Sequence, residues 1–292
     1  MNRTAVDLTA HDGRTLAGYR FDPPAAPKGR IVIAPAMATP QSFYAPFATH
    51  LAAGGYTVWT FDYRDTGESL NGNMRGAKTD ITDWVTRDFD AVVKLAADRE
   101  PEVPLFVVGH SLGGQAAPLL ASRERIAGLV NIAVGSGSLR HNTPKIRRRA
   151  PLMWHVMVPL LCPLFGYFPG ERLGVIGNIP TGAIKQWRRW CLTPDYLLSG
   201  EPGARDAYAS ATYPVLALTF SDDELLLEAG SRLLHDAYTA RAPDYRVIEP
   251  ANVGLKRIGH FGFFKPQSAA ALWPLVTNWL AEKLVTSPAT SK

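Results

Sequence analysis

Residues 105–114 read Leu-Phe-Val-Val-Gly-His-Ser-Leu-Gly-Gly, a short apolar run that meets a Gly-x-Ser-x-Gly pentapeptide and passes at once into Ala-Ala-Pro-Leu-Leu-Ala, a helix-like stretch. No other feature restricts the fold as much. A strand that turns directly into a helix needs a very tight bend, and the serine at its apex takes a strained backbone. The residues two positions away on either side come close together, so Cβ atoms are unwelcome there, which suits Gly109 and Gly113. The turn lifts the Ser111 hydroxyl above the edge of a sheet. It also sets the Leu112 amide at a helix N-terminus, where unpaired N–H groups and the helix dipole favour a developing oxyanion.

The flanking segments alternate in type. Val6–Thr9 and Thr15–Phe21 read as an antiparallel hairpin about His11-Asp12-Gly13. Apolar β runs follow at Arg30–Ala34, Tyr56–Tyr63, Leu105, Ile126–Val134, Val215–Phe220 and Arg246–Glu249. Helical patterns lie near Phe43–Ala53, Asp83–Arg99, Leu225–Tyr238 and Pro266–Leu284. This rhythm predicts an α/β fold with a mostly parallel sheet and helices on both faces.

Residues 136–212 break the rhythm. They are rich in proline, and Ala150–Gly170 is almost wholly apolar. A membrane span needs about 20 such residues, but four prolines and His155 interrupt this stretch. The segment is better read as a helical cap over the sheet, with Trp154, Phe165, Phe168 and, from the core, Phe261 lining an apolar pocket. Ordinary packing of a helical subdomain would use the same side chains. The division predicted is a first core part over 1–135, a cap over 136–212, a second core part over 213–285 and a flexible tail over 286–292.

Composition bounds the function classes. The net charge is +5, and Arg140, Lys145, Arg147, Arg148 and Arg149 are clustered, with Arg123 and Arg125 upstream. No nucleic-acid motif accompanies them, so a solvated surface is the first reading and weak contact of the cap with an anionic membrane surface the second. Two cysteines, Cys162 and Cys191, make neither a disulfide framework nor a metal pair. Met1–Ala10 lacks a signal-peptide core, which predicts a cytoplasmic protein.

A serine nucleophile needs a base, and the base needs an orienting carboxylate. Of seven histidines, His260 follows the last strand within Ile258-Gly259-His260-Phe261-Gly262. A glycine-flanked loop there can bring its imidazole over the elbow. The carboxylate should follow the Val215–Phe220 strand, where Ser221-Asp222-Asp223-Glu224 stands, because ligand-facing groups gather at strand carboxyl ends. Two adjacent acids cannot both point at His260. Asp223 is preferred, since Glu224-Leu225 suits the start of the next helix, leaving Asp222 to cap or stay solvated.

The order Ser111, Asp223, His260 around this elbow resembles the α/β-hydrolase superfamily over most of the chain. Asp62-Tyr63-Arg64-Asp65-Thr66-Gly67-Glu68-Ser69 is similar to that family's Asp-x-Arg-Gly-x-Gly-x-Ser stretch, with Asp65 in place of the usual glycine. Phe165–Gly170 and Trp187–Cys191 resemble a group of predicted bacterial hydrolases. More loosely, the chain looks like the lysophospholipase/monoglyceride-lipase and serine-aminopeptidase branches. Many relatives carry His-Gly after the strand ending near residue 34; this chain has Ala34-Pro35-Ala36-Met37. Proline has no N–H, so the resemblance assigns the oxyanion donors to the Met37 and Leu112 amides.

The expected activity is hydrolysis of carboxylic esters, or of thioesters or amides, of small apolar acyl substrates through an acyl-enzyme on Ser111. It needs no cofactor and no metal. An acyltransferase using the same three residues and a non-catalytic ligand receptor on the same fold are the alternatives. A dehalogenase would need a carboxylate where Ser111 stands.

Overall fold

The structure is a computed structural model that describes residues 3–286. Of the predicted tail, 287–292 lie outside the described residues, and Thr286 ends the last helix.

Eight strands form one sheet: β1 (Arg3–Thr9), β2 (Thr15–Phe21), β3 (Gly29–Ala34), β4 (Tyr56–Phe61), β5 (Leu105–His110), β6 (Ile126–Ile132), β7 (Val215–Phe220) and β8 (Asp244–Ile248). Their order is β1-β2-β4-β3-β5-β6-β7-β8. The β1–β2 and β2–β4 pairings are antiparallel, and every other pairing is parallel. β5, which leads to Ser111, therefore lies inside the parallel part, flanked by β3 and β6. This is the predicted α/β architecture.

The central strands are mostly apolar and buried along nearly their whole length, because both faces are covered. Alternate residues go to opposite sides. Ile31, Ile33, Phe106, Val108, Leu216 and Leu218 pack with α1 (Ala45–Ala53) and the C-terminal helix through Phe47, Leu51, Trp273 and Val276. Val32, Trp59, Val107 and Leu129 pack on the other side with Trp84, Phe89 and Val93. The latter three belong to a helical run, Ile81–Arg99, whose middle, Trp84–Phe89, is wound wider with i→i+5 bonds.

Residues 144–165 form one helical run in three pieces: α2 (Pro144–Leu152), a wide turn at Met153–Met157, and α3 (Val158–Phe165). Prolines 151, 159 and 163 all lie within it, so they do not break the helix as the sequence suggested. The wide turn bonds Val158 to Met153, which changes the carbonyl pairing just where Pro159 withholds its N–H. A left-handed Gly166 (φ 78°) ends the run. Tyr167–Phe168 then pairs with Ile179–Pro180, and α4 (Thr181–Leu192) follows. Among the described residues, no helix is long and apolar enough to cross a membrane.

Two helix expectations need correction. The segment after β7 is a turn as far as Leu227, and α5 begins only at Glu228 and ends at His235. The elbow helix is also short: Leu112–Ala116, then a single 3-10 turn at Ala117–Leu119. Pro118 cannot donate to the i−4 carbonyl, so the α pattern stops there.

Candidate active site

Ser111 sits at φ 48°, ψ −113°, the strained conformation predicted for the apex of this turn. Its amide donates to the Ile132 carbonyl of β6 at 3.0 Å, and its carbonyl accepts from Gly114 and Gln115. The flanking glycines are required, Gly109 for the close approach of the two arms of the turn, with Gly113 C only 2.8 Å from a Cβ there, and Gly113 for a different reason. A Cβ on Gly109 would lie 2.3 Å from Gly114 Cα, and one on Gly113 would lie 2.2 Å from the Ala34 carbonyl oxygen of β3. Gly113 thus answers to the neighbouring strand rather than to Gly109. Gly114 is a third restricted position, where a Cβ would meet Val134 and Asn131 at 2.4 and 2.5 Å.

Leu112 opens a helix of only five residues. Its amide is the first N–H of the helix, and a helix offers no internal acceptor to that group. A helix this short supplies local N–H dipoles rather than a long macrodipole. On the facing loop, Pro35 has no N–H and the Ala36 amide donates to Tyr44 Oη at 2.8 Å. That leaves Met37, 7% exposed, whose side of the loop faces the same cavity as Ser111 and Leu112.

The turn after β7 addresses the His260 loop with three consecutive carboxylates. Asp223 Oδ2 lies 2.7 Å from His260 Nδ1, with both side chains 3% exposed. Asp223 Oδ1 accepts from the Leu225 and Leu226 amides at 2.8 and 3.0 Å. The turn therefore locks the carboxylate that holds the imidazole. Asp222 neither caps a helix nor stays solvated; it accepts from the Ile258 and Gly259 amides at 2.8 and 3.0 Å. Glu224, instead of starting a helix, accepts from the His260 amide at 3.0 Å. Gly259 has φ +64°, and a Cβ there would lie 2.4 Å from Glu224 Oε2. The left-handed backbone is what requires glycine before His260.

Ser111, Leu112, Met37 and His260 line one cavity of about 540 Å³. Its apolar wall comes from Met153, Trp154, Met157 and Trp187, with Leu225 and Leu226 opposite. Gln115 and Tyr196 are polar groups within it, bonded to each other at 3.1 Å. Lys145 and Arg149, both exposed on α2, also border it.

Of the predicted pocket residues, only Trp154 lines this cavity. Phe165 lies against Tyr167 and under the Arg172 guanidinium. Phe168 is fully buried in the core, because its strand partner Ile179 covers it. Phe261 packs edge-on against His260 and His110, and borders a separate recess with Arg257 and Lys265. Trp187, which the sequence did not mark as a pocket residue, lines the cavity with Cys191, one helical turn away on α4.

The Asp62 segment braces the loop beside Met37. Burial pushes the Asp62 carboxyl up to about 6, and it accepts from the Gln41 and Glu68 amides at 2.7 and 2.9 Å. Asp65 has φ +60°, so it occupies the left-handed position that explains a glycine there in relatives. Hydrogen bonds from Arg14 and Thr79 hold it in that conformation.

Comparison with known proteins agrees with this architecture. The serine aminopeptidase, S33 family profile matches residues 25–166. A monoacylglycerol lipase of Mycolicibacterium smegmatis is 35% identical over 94 residues, which is 32% of this chain and 32% of that protein. The chain thus matches about a third of that curated relative's length. Over the whole chain, a soluble variant of monoglyceride lipase from Saccharomyces cerevisiae superposes with a TM-score of 0.67 at 17% identity, covering 99% of this chain and 97% of the other. An α/β hydrolase from Penicillium sp. sh18 gives a TM-score of 0.65 at 16% identity, covering 98% and 99%.

Proposed function

We propose that this chain, which has the α/β-hydrolase fold, is a serine hydrolase of carboxylic esters with apolar acyl groups. The observation that carries the reading is that His260, held by Asp223 at 2.7 Å, lines the same apolar cavity as a strained Ser111. Ser111 Oγ attacks the ester carbonyl carbon while His260 Nε2 takes its proton. Asp223 keeps the proton on Nδ1 and stabilises the imidazolium. The Met37 and Leu112 amides hold the tetrahedral oxyanion. His260 then protonates the leaving alcohol, and water activated by the same imidazole releases the acid from the acyl-enzyme.

The cavity supports the substrate class. Pockets of about 300–1,000 Å³ with mostly apolar walls and few polar groups suit small organic ligands. Segment 136–212 is read as a cap inserted between two core parts, 1–135 and 213–285. Similarity to monoacylglycerol and monoglyceride lipases makes acyl glycerols the first substrates to try. Weak membrane-surface contact belongs to the same reading. Leu152, Val156, Leu160 and Leu164, all exposed, recur every fourth residue along α2, the wide turn and α3, after Lys145 and Arg147–Arg149 in the first two turns of α2. A cytoplasmic location fits Cys162 and Cys191, both free and buried.

The test is a series of monoacylglycerols and 4-nitrophenyl esters graded in acyl length. The reading predicts kcat/KM rising with chain length until the cavity is filled. Turnover of aminoacyl amides in preference to every ester would overturn it.

A further inference from the structure

His110 lies between Gly109 and Ser111 and is fully buried, yet the mechanism above gives it no role. Its two ring nitrogens are both engaged. Nδ1 lies 2.9 Å from Tyr44 Oη, and Nε2 lies 3.0 Å from the carbonyl oxygen of His260. Tyr44 Oη is in turn 2.8 Å from the Ala36 amide nitrogen.

The two ends of this line fix every proton on it. A backbone amide can only donate, so Tyr44 Oη accepts from Ala36. The phenol proton then goes to His110 Nδ1, which must be unprotonated. The remaining ring proton is on Nε2 and points at the His260 carbonyl, which can only accept. One donor and one acceptor is what a neutral imidazole offers, and burial, which holds the His110 pKa well below the usual imidazole range, keeps it neutral. The rings are also held sideways. Phe264 packs on both Tyr44 and His110, with centroids 4.8 and 4.9 Å away.

The line joins three loops at the carboxyl end of the sheet. Ala36 precedes the Met37 amide, His110 precedes Ser111, and the third loop carries the His260 imidazole. We propose that Tyr44 and His110 are positioning residues, which set the distance between the oxyanion donor and the general base on either side of the nucleophile. Neither touches substrate. This role rests on the hydrolase reading given above. It explains why the residue between the glycine and the serine is a histidine with its tautomer imposed, where an apolar residue of similar size would fill the space.

Two substitutions separate the halves of the line. In His110→Gln the side-chain amide nitrogen reaches the place of Nε2 and still donates to the His260 carbonyl. In His110→Asn the shorter amide reaches only the place of Nδ1, so it can accept from Tyr44 but no longer reaches His260. Wild type, both variants and Tyr44→Phe are compared for kcat and KM on a short-chain 4-nitrophenyl ester, for the rate of fluorophosphonate labelling, and for Tm. A misplacement of about 1 Å costs on the order of 100-fold in rate. We therefore expect kcat for His110→Asn to fall by about 10- to 100-fold with KM nearly unchanged. His110→Gln should recover most of that loss. Tyr44→Phe, which leaves His110 Nδ1 and the Ala36 amide without their shared partner, should fall between them. Equal rates for His110→Asn and wild type would overturn the proposal, as would His110→Gln being as slow as His110→Asn. If both His110 variants fail to fold, Tyr44→Phe with wild-type kcat and labelling rate overturns it. Wild type that neither labels nor turns over any ester brings down the hydrolase reading and this role with it, whereas the other failures leave that reading standing.

Discussion

Asp223→Asn should disable the enzyme by imposing the wrong imidazole tautomer. In the wild type one carboxylate oxygen accepts from the Leu225 and Leu226 amides, and the other lies 2.7 Å from His260 Nδ1. An asparagine must keep its only oxygen on the two backbone donors, because the reverse orientation would aim an NH₂ group at two N–H groups. Its Nδ2 then donates to His260 Nδ1. The ring proton moves to Nε2, and in the proposed mechanism that nitrogen can then no longer accept the Ser111 hydroxyl proton. A triad imidazole held in that tautomer loses about 10⁴-fold in kcat, about 5.5 kcal/mol of transition-state stabilisation. Asp222→Asn is the control. Each Asp222 oxygen accepts one amide, from Ile258 or Gly259. Losing one such bond to a charged group costs about 1.5–3 kcal/mol, about 10- to 150-fold if all of it is expressed in the rate and still far short of 10⁴-fold. Both variants are assayed for kcat on a chromogenic ester, with Tm measured to show that they are folded. Asp223→Asn within tenfold of wild type, or Asp222→Asn as the more damaging change, would refute the reasoning.

Gly113→Ala sets a Cβ 2.2 Å from a carbonyl oxygen of β3, a strand paired on both sides and unable to retreat; overpacking of this kind costs about 1–3 kcal/mol or more, and an unchanged Tm would contradict it. Burial pushes the His235 imidazole down to about 4, so the unfolded chain binds a proton near pH 6.5 that the folded chain refuses, and stability falls as pH drops from 6.5 toward 4. In urea titrations the stability deficit of His235→Gln should therefore shrink by about 1.4 kcal/mol per pH unit over that range; a constant deficit would be the contrary result. Met157→Trp, on the cavity wall, should move the preferred acyl length downward with little change on acetyl esters. Phe168→Ala, buried away from the cavity, should cost about 3–5 kcal/mol of stability and leave the order of preference intact; a shifted order would return Phe168 to the pocket.

The sheet and the elbow were legible because their signals are local. The apolar β runs, the glycine-bounded turn and the separate stretches around Ser111, Asp223 and His260 are each short segments of chain. Choosing Asp223 over Asp222 rested on a helix start at Glu224-Leu225. The structure puts that start at Glu228, yet Asp223 is the residue on the imidazole. The pair is decided by the Asx-type turn in which Asp223 bonds its own backbone two and three residues on. The pocket was hardly legible. Bulky aromatics are equally at home in a core, and Phe168 went there while Met153, Met157 and Trp187 faced the cavity. Prolines 151, 159 and 163 hid a helix of regular four-residue periodicity, because a wide turn can absorb them. The roles of Asp222, Glu224, Tyr44 and His110 depend on contacts between loops far apart in sequence, which no local pattern encodes.

The central claim is that Ser111 is an activated nucleophile. The most direct measurement is labelling with a fluorophosphonate probe, read by intact mass, on wild type and Ser111→Ala. One adduct on wild type and none on the variant is the predicted result. No adduct on folded wild type, or an adduct that persists in Ser111→Ala, would contradict it.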